Sequence, residues 1–195
     1  MSAAQAGAVR LFLAINIAPS VRQAIVDATS SLRAAAPSLG WVDEGRVHLT
    51  LKFLGEQGES VVAAMAGALN DVTRQHRPFS VQLGGIGAFP NFRRARVVWM
   101  GIERDPRLEL LHHDVELACE ALGFEVEGRA FRPHLTLARV KDRTGDDELR
   151  RLARASKHIT YEDEVSVASV DLMQSMLNAR AARYQRLHSA PLGRS

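Results

Sequence analysis

The chain has 195 residues, of which 46% are hydrophobic and 24% are charged, as is typical of a soluble globular protein. Cys119 is its only cysteine, which excludes an intrachain disulfide, and no apolar run reaches the roughly 18 residues that a membrane-spanning helix needs. We therefore expect a cytoplasmic protein that makes no membrane contact.

The charge of the chain suits an anionic partner such as nucleic acid. Its formal net charge is +3, and all but Lys52, Lys141 and Lys157 of its 25 basic residues are arginines. Arginine binds phosphate with a planar, bidentate fork. A merely solvated surface would have the same composition, so charge alone leaves both interpretations open.

Hydrophobic spacing predicts alternating strands and helices in the first half of the chain. The expected elements are a buried strand over residues 9–17, a helix from Pro19 towards Pro37, a strand over 47–54, a helix from Ser60 to Val72 and a short strand over 79–83. Three glycines between residues 84 and 87 then interrupt the pattern without the context of a phosphate-binding loop. A basic turn at residues 93–96 follows.

The second half continues the alternation. It predicts a strand over 97–100, a helix that begins after Asp105 and ends at Gly123, a short strand over 124–126, a strand within 129–140, a helix over 146–156 and strands within 161–171 and 183–187. Residues 1–8 and 191–195 are expected to be loosely held.

No linker separates the halves, so we expect residues 1–195 to form a single domain of two pseudo-symmetric lobes. The predicted fold class is α+β, a bilobal duplicated unit. Two antiparallel-rich sheets would line a central cleft, and helices would cover their outer faces.

One tetrapeptide, His-Leu-Thr-Leu, occurs twice, at residues 48–51 and 134–137. Side chains alternate between the faces of a strand, so His48 and Thr50 share one face while the leucines share the other. The same holds for His134 and Thr136. Leucines can then enter a core while both His-Thr pairs face one cleft. We expect the two copies to form one site.

Two histidines in one cleft suit acid–base catalysis, because an unperturbed imidazole titrates near pH 6.5. One can take a proton from water as it attacks phosphorus while the other gives a proton to the leaving oxygen. Threonine hydroxyls can donate to the non-bridging phosphate oxygens.

Other chemistries fit the sequence less well. Neither copy has a carboxylate or cysteine beside it at a familiar metal-ligand spacing. His112 and His113 are adjacent on a predicted helix and point about 100° apart, so they are poorly placed to chelate one metal ion together. The chain also lacks the Gly-x-Ser-x-Gly turn of a serine hydrolase.

With its flanking residues, the repeat resembles the 2H phosphoesterase superfamily, and within it the RNA 2′,3′-cyclic phosphodiesterases, also called 2′–5′ RNA ligases. The resemblance covers nearly the whole chain. It is carried by residues 10–15, Trp41-Val42, the run HLTLKFLGE over 48–56, Phe89-Pro90, residues 96–99, the run FRPHLTLAR over 131–139, residues 175–177 and Arg183-Tyr184. The chain departs from the family pattern at Ala181-Ala182, where a glycine is common.

The resemblance implies a fold and an activity. It implies a bilobal enzyme without a cofactor that hydrolyses the 2′,3′-cyclic phosphate ends of RNA or nucleotides to 2′-phosphates. Separately, we expect a monomer. By motif position, His48 would be the proton donor, His134 the proton acceptor, and Thr50 and Thr136 the phosphate-binding residues. Ligation of 2′–5′ ends would be the reverse of similar chemistry.

Three further residues are candidate substrate contacts. Arg132 and Arg139 flank the second motif and could reach phosphate, although either could also be a solvated surface arginine. Phe131 could stack on a base, although an aromatic residue at this position more often packs in the core. Two alternative functions also stay open, a non-catalytic RNA-end or nucleotide-binding module and a phosphodiesterase acting on 2′–5′ oligoadenylate or small cyclic nucleotides.

Overall fold

A computed structural model describes residues 8–141, 144–177 and 182–193. These ranges contain nine strands: β1 (Val9–Asn16), β2 (Gly40–Trp41), β3 (His48–Gln57), β4 (Phe79–Phe89), β5 (Val97–Ile102), β6 (His134–Arg139), β7 (Glu164–Val167), β8 (Ser169–Leu177) and β9 (Ala182–Pro191). They also contain five α-helices: α1 (Pro19–Ala28), α2 (Ser30–Ala35), α3 (Ser60–Thr73), α4 (Pro106–Ala121) and α5 (Asp146–Ala155).

The strands form one antiparallel path in the order β7-β4-β5-β6-β3-β1-β8-β9, with β2 paired to β6. At its centre, β3 and β6 meet at the pair Leu49–Leu135. These two leucines occupy the same position in the two copies of the repeated tetrapeptide. Because equivalent residues of antiparallel strands pair, a local twofold axis passes between them. The predicted α+β class is confirmed.

The strand order shows how the two halves of the chain combine in the sheet. On one side of the axis lie β3 and β1 from the N-terminal part together with β8 and β9 from the C-terminal part, and on the other lie β6, β5, β4 and β7. Successive halves of the chain therefore do not build successive halves of the sheet. The division of residues 1–195 into two lobes stays a prediction, and it would have to follow this order.

The main core lies on the face of the sheet that the helices cover. The inward leucines of both motifs are buried there together with Met65 and Leu69 of α3 and Leu108, Leu111 and Val115 of α4. A second, smaller cluster of Phe12, Ala14 and Met173 lies apart from this core. The helices thus leave one face of the sheet open, and that face is called the cleft face below.

Both motif strands carry a β-bulge at the last residue of the motif. In β3, Thr50 pairs with Ala14 but Lys52 pairs with Leu13, and β6 shows the same shift against β5 between Thr136 and Ala138. A bulge places two successive residues on one face. As a result Lys52 and Ala138 are buried, and the exposed residues that follow them, Phe53 and Arg139, return to the cleft face.

The bulge places the ammonium group of Lys52 inside the protein, where it is paired. Its Nζ lies 2.6 Å from Oε2 of Glu116 on α4, and the two side chains are only 6% and 7% exposed. The same ammonium donates to the carbonyl oxygen of Glu125 at 2.7 Å. The ion pair therefore joins the first motif strand to α4 and to the segment that follows it.

This contact explains one wrong prediction. Residues 124–126 form no strand. The amide of Phe124 donates to the carbonyl of Cys119, and Nζ of Lys52 donates to the carbonyl of Glu125. The backbone groups that a strand would pair with a neighbour are thus engaged with the end of α4 and with β3.

Two other boundaries differ from the sequence prediction. β4 continues through the glycines to Phe89, because residues 86–89 pair with β5 after an irregularity at Gly84 and Gly85. The C-terminal end is held as far as Gly193, since the amide of Leu192 donates to Ala168 and that of Gly193 donates to Thr73. Residues 1–7, 194–195 and Ala181, on which other predictions fell, lie outside the described residues.

In the part of the chain that the structure describes, no helix is both long enough and apolar enough to cross a membrane.

We expect Lys52→Met to destabilise the protein by about 3 kcal/mol, because it leaves the Glu116 carboxylate buried without its cation. Lys52→Met combined with Glu116→Met should recover most of that loss, since the buried charge is gone. Urea unfolding measures both. Arg74→Met, which removes an exposed ion pair to Asp71, is the control and should change stability far less. A single Lys52 variant as stable as this control would contradict the argument.

Candidate active site

Four residues of the repeat lie together on the cleft face. His48 and Thr50 of β3 and His134 and Thr136 of β6 are half-buried, and the leucines between them are buried. Antiparallel pairing at Leu49–Leu135 sets His48 across from Thr136 and His134 across from Thr50. Neither threonine hydroxyl has a hydrogen-bond partner among the described residues. Two imidazoles and two unpartnered hydroxyls thus share one face.

Both imidazoles are held in the same way. Nδ1 of His48 lies 2.8 Å from the carbonyl oxygen of Arg46, and Nδ1 of His134 lies 2.7 Å from that of Arg132. A carbonyl oxygen only accepts, so each Nδ1 carries a hydrogen and donates it. The neutral rings therefore keep Nε2 unprotonated. Each histidine can take or give a proton at Nε2 without giving up the bond that orients it.

Aromatic rings pack against each of the two histidines. The ring of His48 lies 5.0 Å from that of Phe12 and 5.3 Å from that of Tyr184. Tyr184 belongs to β9, three strands from β3, a separation of about 14 Å in a flat sheet. Its contact with His48 shows that the sheet curls around the cleft face.

The aromatic rings that pack against His134 belong to β4 and β5. Its ring lies 5.0 Å from Phe89 and 6.2 Å from Trp99. Trp99 lies flat across Gly87, where an added Cβ would come within 2.2 Å of the indole. The glycine is needed because the indole occupies the space of a side chain there. A pocket of about 430 Å³ opens beside His134, between Trp99 and Phe131.

The environment lowers the pKa of both histidines. Burial is the largest cause for each, because it disfavours the charged imidazolium, and the carbonyl bonds of Arg46 and Arg132 oppose it. The positive charge of Arg139 lowers both pKa values further, and that of His134 adds to the effect on His48. The two histidines are thus close enough to influence each other's protonation.

The three candidate substrate contacts differ in their positions. Arg139 is exposed at the cleft and acts electrostatically on both histidines. Arg132 is exposed, and its carbonyl orients His134. The ring of Phe131 stacks on His112 at 3.8 Å and packs against the main core, as the core-packing alternative predicts.

The aromatic rings around the histidines lie in segments that carry the family resemblance, but the sequence pattern gave them no role in the site, and it did not indicate a polar network next to His48. The carboxylate of Asp171 is fully buried and accepts from Nδ2 of Asn16 at 2.5 Å, from Ser169 at 3.1 Å and from Ser189. Asn16 pairs with His48 across β1 and β3. These partners lie far apart in the chain, so no local pattern indicates them.

Within the described ranges, no group of three or more His, Cys, Asp or Glu residues is arranged to hold a metal ion. His112 lies on α4, 3.8 Å from Glu116, and His76 is bonded to Asp114 at 2.8 Å. Each of these histidines has a carboxylate partner away from the cleft face.

Known proteins are similar to this chain in sequence and in fold. Residues 18–176 match the 2′-5′ RNA ligase superfamily. The chain is 31% identical over 176 residues to the RNA 2′,3′-cyclic phosphodiesterase of Methanothermobacter thermautotrophicus, covering 90% of this chain and 95% of the relative. It is 33% identical over 178 residues to the protein of that name from Archaeoglobus fulgidus, covering 91% and 97%. A crystal structure of a Thermus thermophilus protein superimposes with a TM-score of 0.78 at 28% identity, covering 94% and 97%.

Gly87→Ala should displace Trp99, because the new methyl group cannot share space with the indole. We expect the NMR signals of the His134 ring to shift while those of His48 stay, since only His134 lies beside Trp99. Gly85→Ala on the same strand is the matched control, because nothing lies within 4 Å of its added Cβ. Equal effects of the two variants would contradict the packing argument.

Arg139→Gln should raise the pKa of both His48 and His134, because it removes a positive charge that opposes their protonation. NMR titration of the two rings measures the change in the free protein. Arg132→Gln is the control, since it removes a charge next to the second motif but leaves the orienting carbonyl in place. If the Arg139 variant titrates like the wild type, Arg139 does not act on the pair as described.

Proposed function

Because this chain belongs to the 2′-5′ RNA ligase superfamily, we propose that it is an RNA 2′,3′-cyclic phosphodiesterase that works by paired histidine acid–base catalysis without a cofactor. The observation that carries the proposal is the pair of imidazoles on one face, each with Nδ1 engaged and Nε2 available. The substrates would be RNA or nucleotides that end in a 2′,3′-cyclic phosphate, and the product would be a 2′-phosphate.

In the proposed reaction, Nε2 of His134 accepts a proton from a water molecule as the water oxygen bonds to phosphorus. The bond from phosphorus to O3′ breaks, and the protonated Nε2 of His48 gives its proton to O3′. One proton is taken and one is given, so the pair ends with its protons exchanged. In-line displacement needs the two groups on opposite sides of phosphorus, which the antiparallel motifs support.

Thr50 and Thr136 are proposed to donate hydrogen bonds to the non-bridging phosphate oxygens as negative charge builds on them. Each hydroxyl lies across from the histidine of the other strand, and neither has a partner among the described residues. Arg139 would add a positive charge near the same oxygens. Arg132 keeps its candidate role as a contact beyond the phosphate. Phe131 packs against the core and also lines the pocket beside His134, where it could still contact the substrate.

Assigning His48 as the acid and His134 as the base follows the position of the motifs in the family. The two rings are held so similarly that geometry alone does not separate the roles. Both pKa values are lowered, so in the free enzyme the first ring is protonated mainly at a pH below the ordinary histidine value of about 6.5. A bound phosphate dianion or monoanion would raise both values.

The same steps with a 5′-hydroxyl in place of water would join RNA ends. The 5′-hydroxyl would give its proton to His134, its oxygen would bond to phosphorus, and the departure of O3′ would leave a 2′–5′ phosphodiester. We include this ligation in the proposal, and its reversal would cleave the 2′–5′ bond and restore the cyclic end. We also propose that the protein acts as a monomer in the cytoplasm, where its single Cys119 would stay reduced.

His48→Ala and His134→Ala should each lower kcat for hydrolysis of a 2′,3′-cyclic nucleotide by about 10²–10⁴-fold, because each removes one proton transfer. The assay is run in EDTA, and the 2′-phosphate product is identified by chromatography. His113→Ala is the matched control, since His113 is exposed on α4 away from the cleft face.

Full activity of either motif variant in EDTA would contradict the paired mechanism. Loss of wild-type activity on adding EDTA would contradict a reaction without a metal ion. Tight binding of cyclic ends without turnover would favour the binding-module alternative. A panel that includes 2′–5′ oligoadenylate and small cyclic nucleotides separates the remaining substrate alternatives.

A further inference from the structure

Charge is distributed unequally between the two ends of the cleft. At the end where β6 begins, most arginines have a carboxylate partner: Arg104 pairs with Glu109, Arg107 with Asp105 and Arg129 with Glu127. Arg132 is the exception there. At the end where β6 finishes, Arg139 has no ion-pair partner among the described residues, and neither have Arg93, Arg94 and Arg96. These four arginines are called the basic rim below.

The sequence explains why the rim is uncompensated. Residues 72–102 contain no Asp or Glu, and neither do residues 128–141. The sheet sets these stretches side by side, because they supply the neighbouring strands β4, β5 and β6. A surface built from three adjacent strands thus has arginines and no carboxylate of its own. Lys141 adds to it, and the next acidic residue in the chain, Asp142, lies outside the described residues.

The turn between β4 and β5 holds two rim arginines in place. The side chain of Asn91 accepts from the amides of Arg93 and Arg94 at 3.0 and 3.1 Å, and Phe92 packs against the main core. Both arginine side chains are exposed. Their backbone is fixed while their guanidinium groups face solvent, an arrangement that lowers the entropy lost on binding an anion.

The rim is continuous with the site. The amide of Arg96 donates to Phe89 and its carbonyl accepts from Val140, which directly follows Arg139. Arg139 stands three residues after Thr136, about 10 Å along the strand. A chain of phosphates bound at Thr136 could therefore pass to Arg139, to Arg96 and then to the turn.

The positions of the leaving oxygen and of the attacking water indicate which end of the cleft the RNA occupies. Antiparallel pairing places Thr136 across from His48, so β6 runs past His48 towards Arg139. The leaving O3′ belongs to the terminal ribose of the substrate and must lie beside the acid, His48. The rest of the RNA is attached to that ribose, whereas water enters on the side of His134. The RNA body thus emerges at the His48 end, where the rim begins.

We propose that the basic rim binds the backbone phosphates of the RNA segment 5′ to the cyclic end, and that the enzyme therefore prefers oligonucleotides to mononucleotides. The inference rests on the proposed function, from which it takes the position of the leaving oxygen. The phosphate contacts would be independent of base sequence, because arginines that bind the backbone read no base edges.

The carboxylates of the neighbouring helix do not cancel this surface. α5 packs against the turn of residues 92–94 and carries Asp146, Asp147 and Glu148 in its first turn. Asp147 is bonded to Arg150, and Glu148 accepts from the amide and hydroxyl of Ser38. The helix also carries three arginines, so its own charges balance.

The test compares the wild type with Arg93→Ser/Arg94→Ser on two substrates, a single-stranded oligoribonucleotide with a 2′,3′-cyclic phosphate end and the matching 2′,3′-cyclic mononucleotide. We expect kcat/KM for the oligonucleotide to fall on the order of tenfold at low salt while that for the mononucleotide stays unchanged. The slope of log kcat/KM against log salt should become shallower by about 1.4, since each lost phosphate contact on a single strand contributes about 0.7.

The matched control is Arg104→Ser/Arg129→Ser, which removes the same net charge at the opposite end. If kcat/KM for the oligonucleotide falls equally in the two double variants, the effect comes from overall charge, and the proposed role of the basic rim is wrong. The proposal is also wrong if kcat/KM for the oligonucleotide is unchanged in the rim variant, or if kcat/KM for the mononucleotide falls by the same factor.

A binding measurement keeps the rim testable if the protein hydrolyses neither substrate, an outcome that would contradict the proposed function. The probe is a fluorescent oligonucleotide with a 3′-phosphate end, titrated at several salt concentrations. Weaker, less salt-dependent binding by the rim variant than by the control supports the rim. Equal binding by wild type and rim variant overturns it.

Discussion

The backbone pair between Leu49 and Leu135 is the contact on which the site depends. It joins equivalent residues of two antiparallel strands, so it imposes a local twofold relation on everything that the motifs carry. Each histidine then faces the threonine of the other strand, and each is oriented by a carbonyl two residues before it. Shifting one of these strands by one residue against the other would turn the histidine and threonine of that strand towards the core and its leucines towards the cleft.

The twofold relation applies to the backbone and not to the side chains. Both motif strands bulge at the same place, yet the buried residue is Lys52 in one and Ala138 in the other. The next position on the cleft face is Phe53 in one strand and Arg139 in the other. Two matched histidines thus stand in a cleft whose ends differ in charge. A symmetric backbone that carries different side chains at equivalent positions can bind a substrate in a single orientation.

Several features of the fold could be read from the sequence because they follow from local periodicity. The alternation in residues 48–51 and 134–137 correctly placed the leucines in the core and the polar residues outside it. The same alternation, continued one residue too far, would put Lys52 and Ala138 in the cleft. The bulges reverse it, and they depend on the pairing of β3 with β1 and of β6 with β5, which local sequence does not encode.

By itself, the sequence determined the family, the α+β class and the two His-Thr pairs, because motif spacing and strand alternation are local properties of the chain. Only the tertiary structure decided what surrounds them. Tyr184 reaches His48 because the sheet curls, and Trp99 lies beside His134 because Gly87 leaves room for it. Arg139 acts on both histidines because a bulge returns it to the cleft face. These contacts join residues that lie far apart in the chain, and only the folded sheet brings them together.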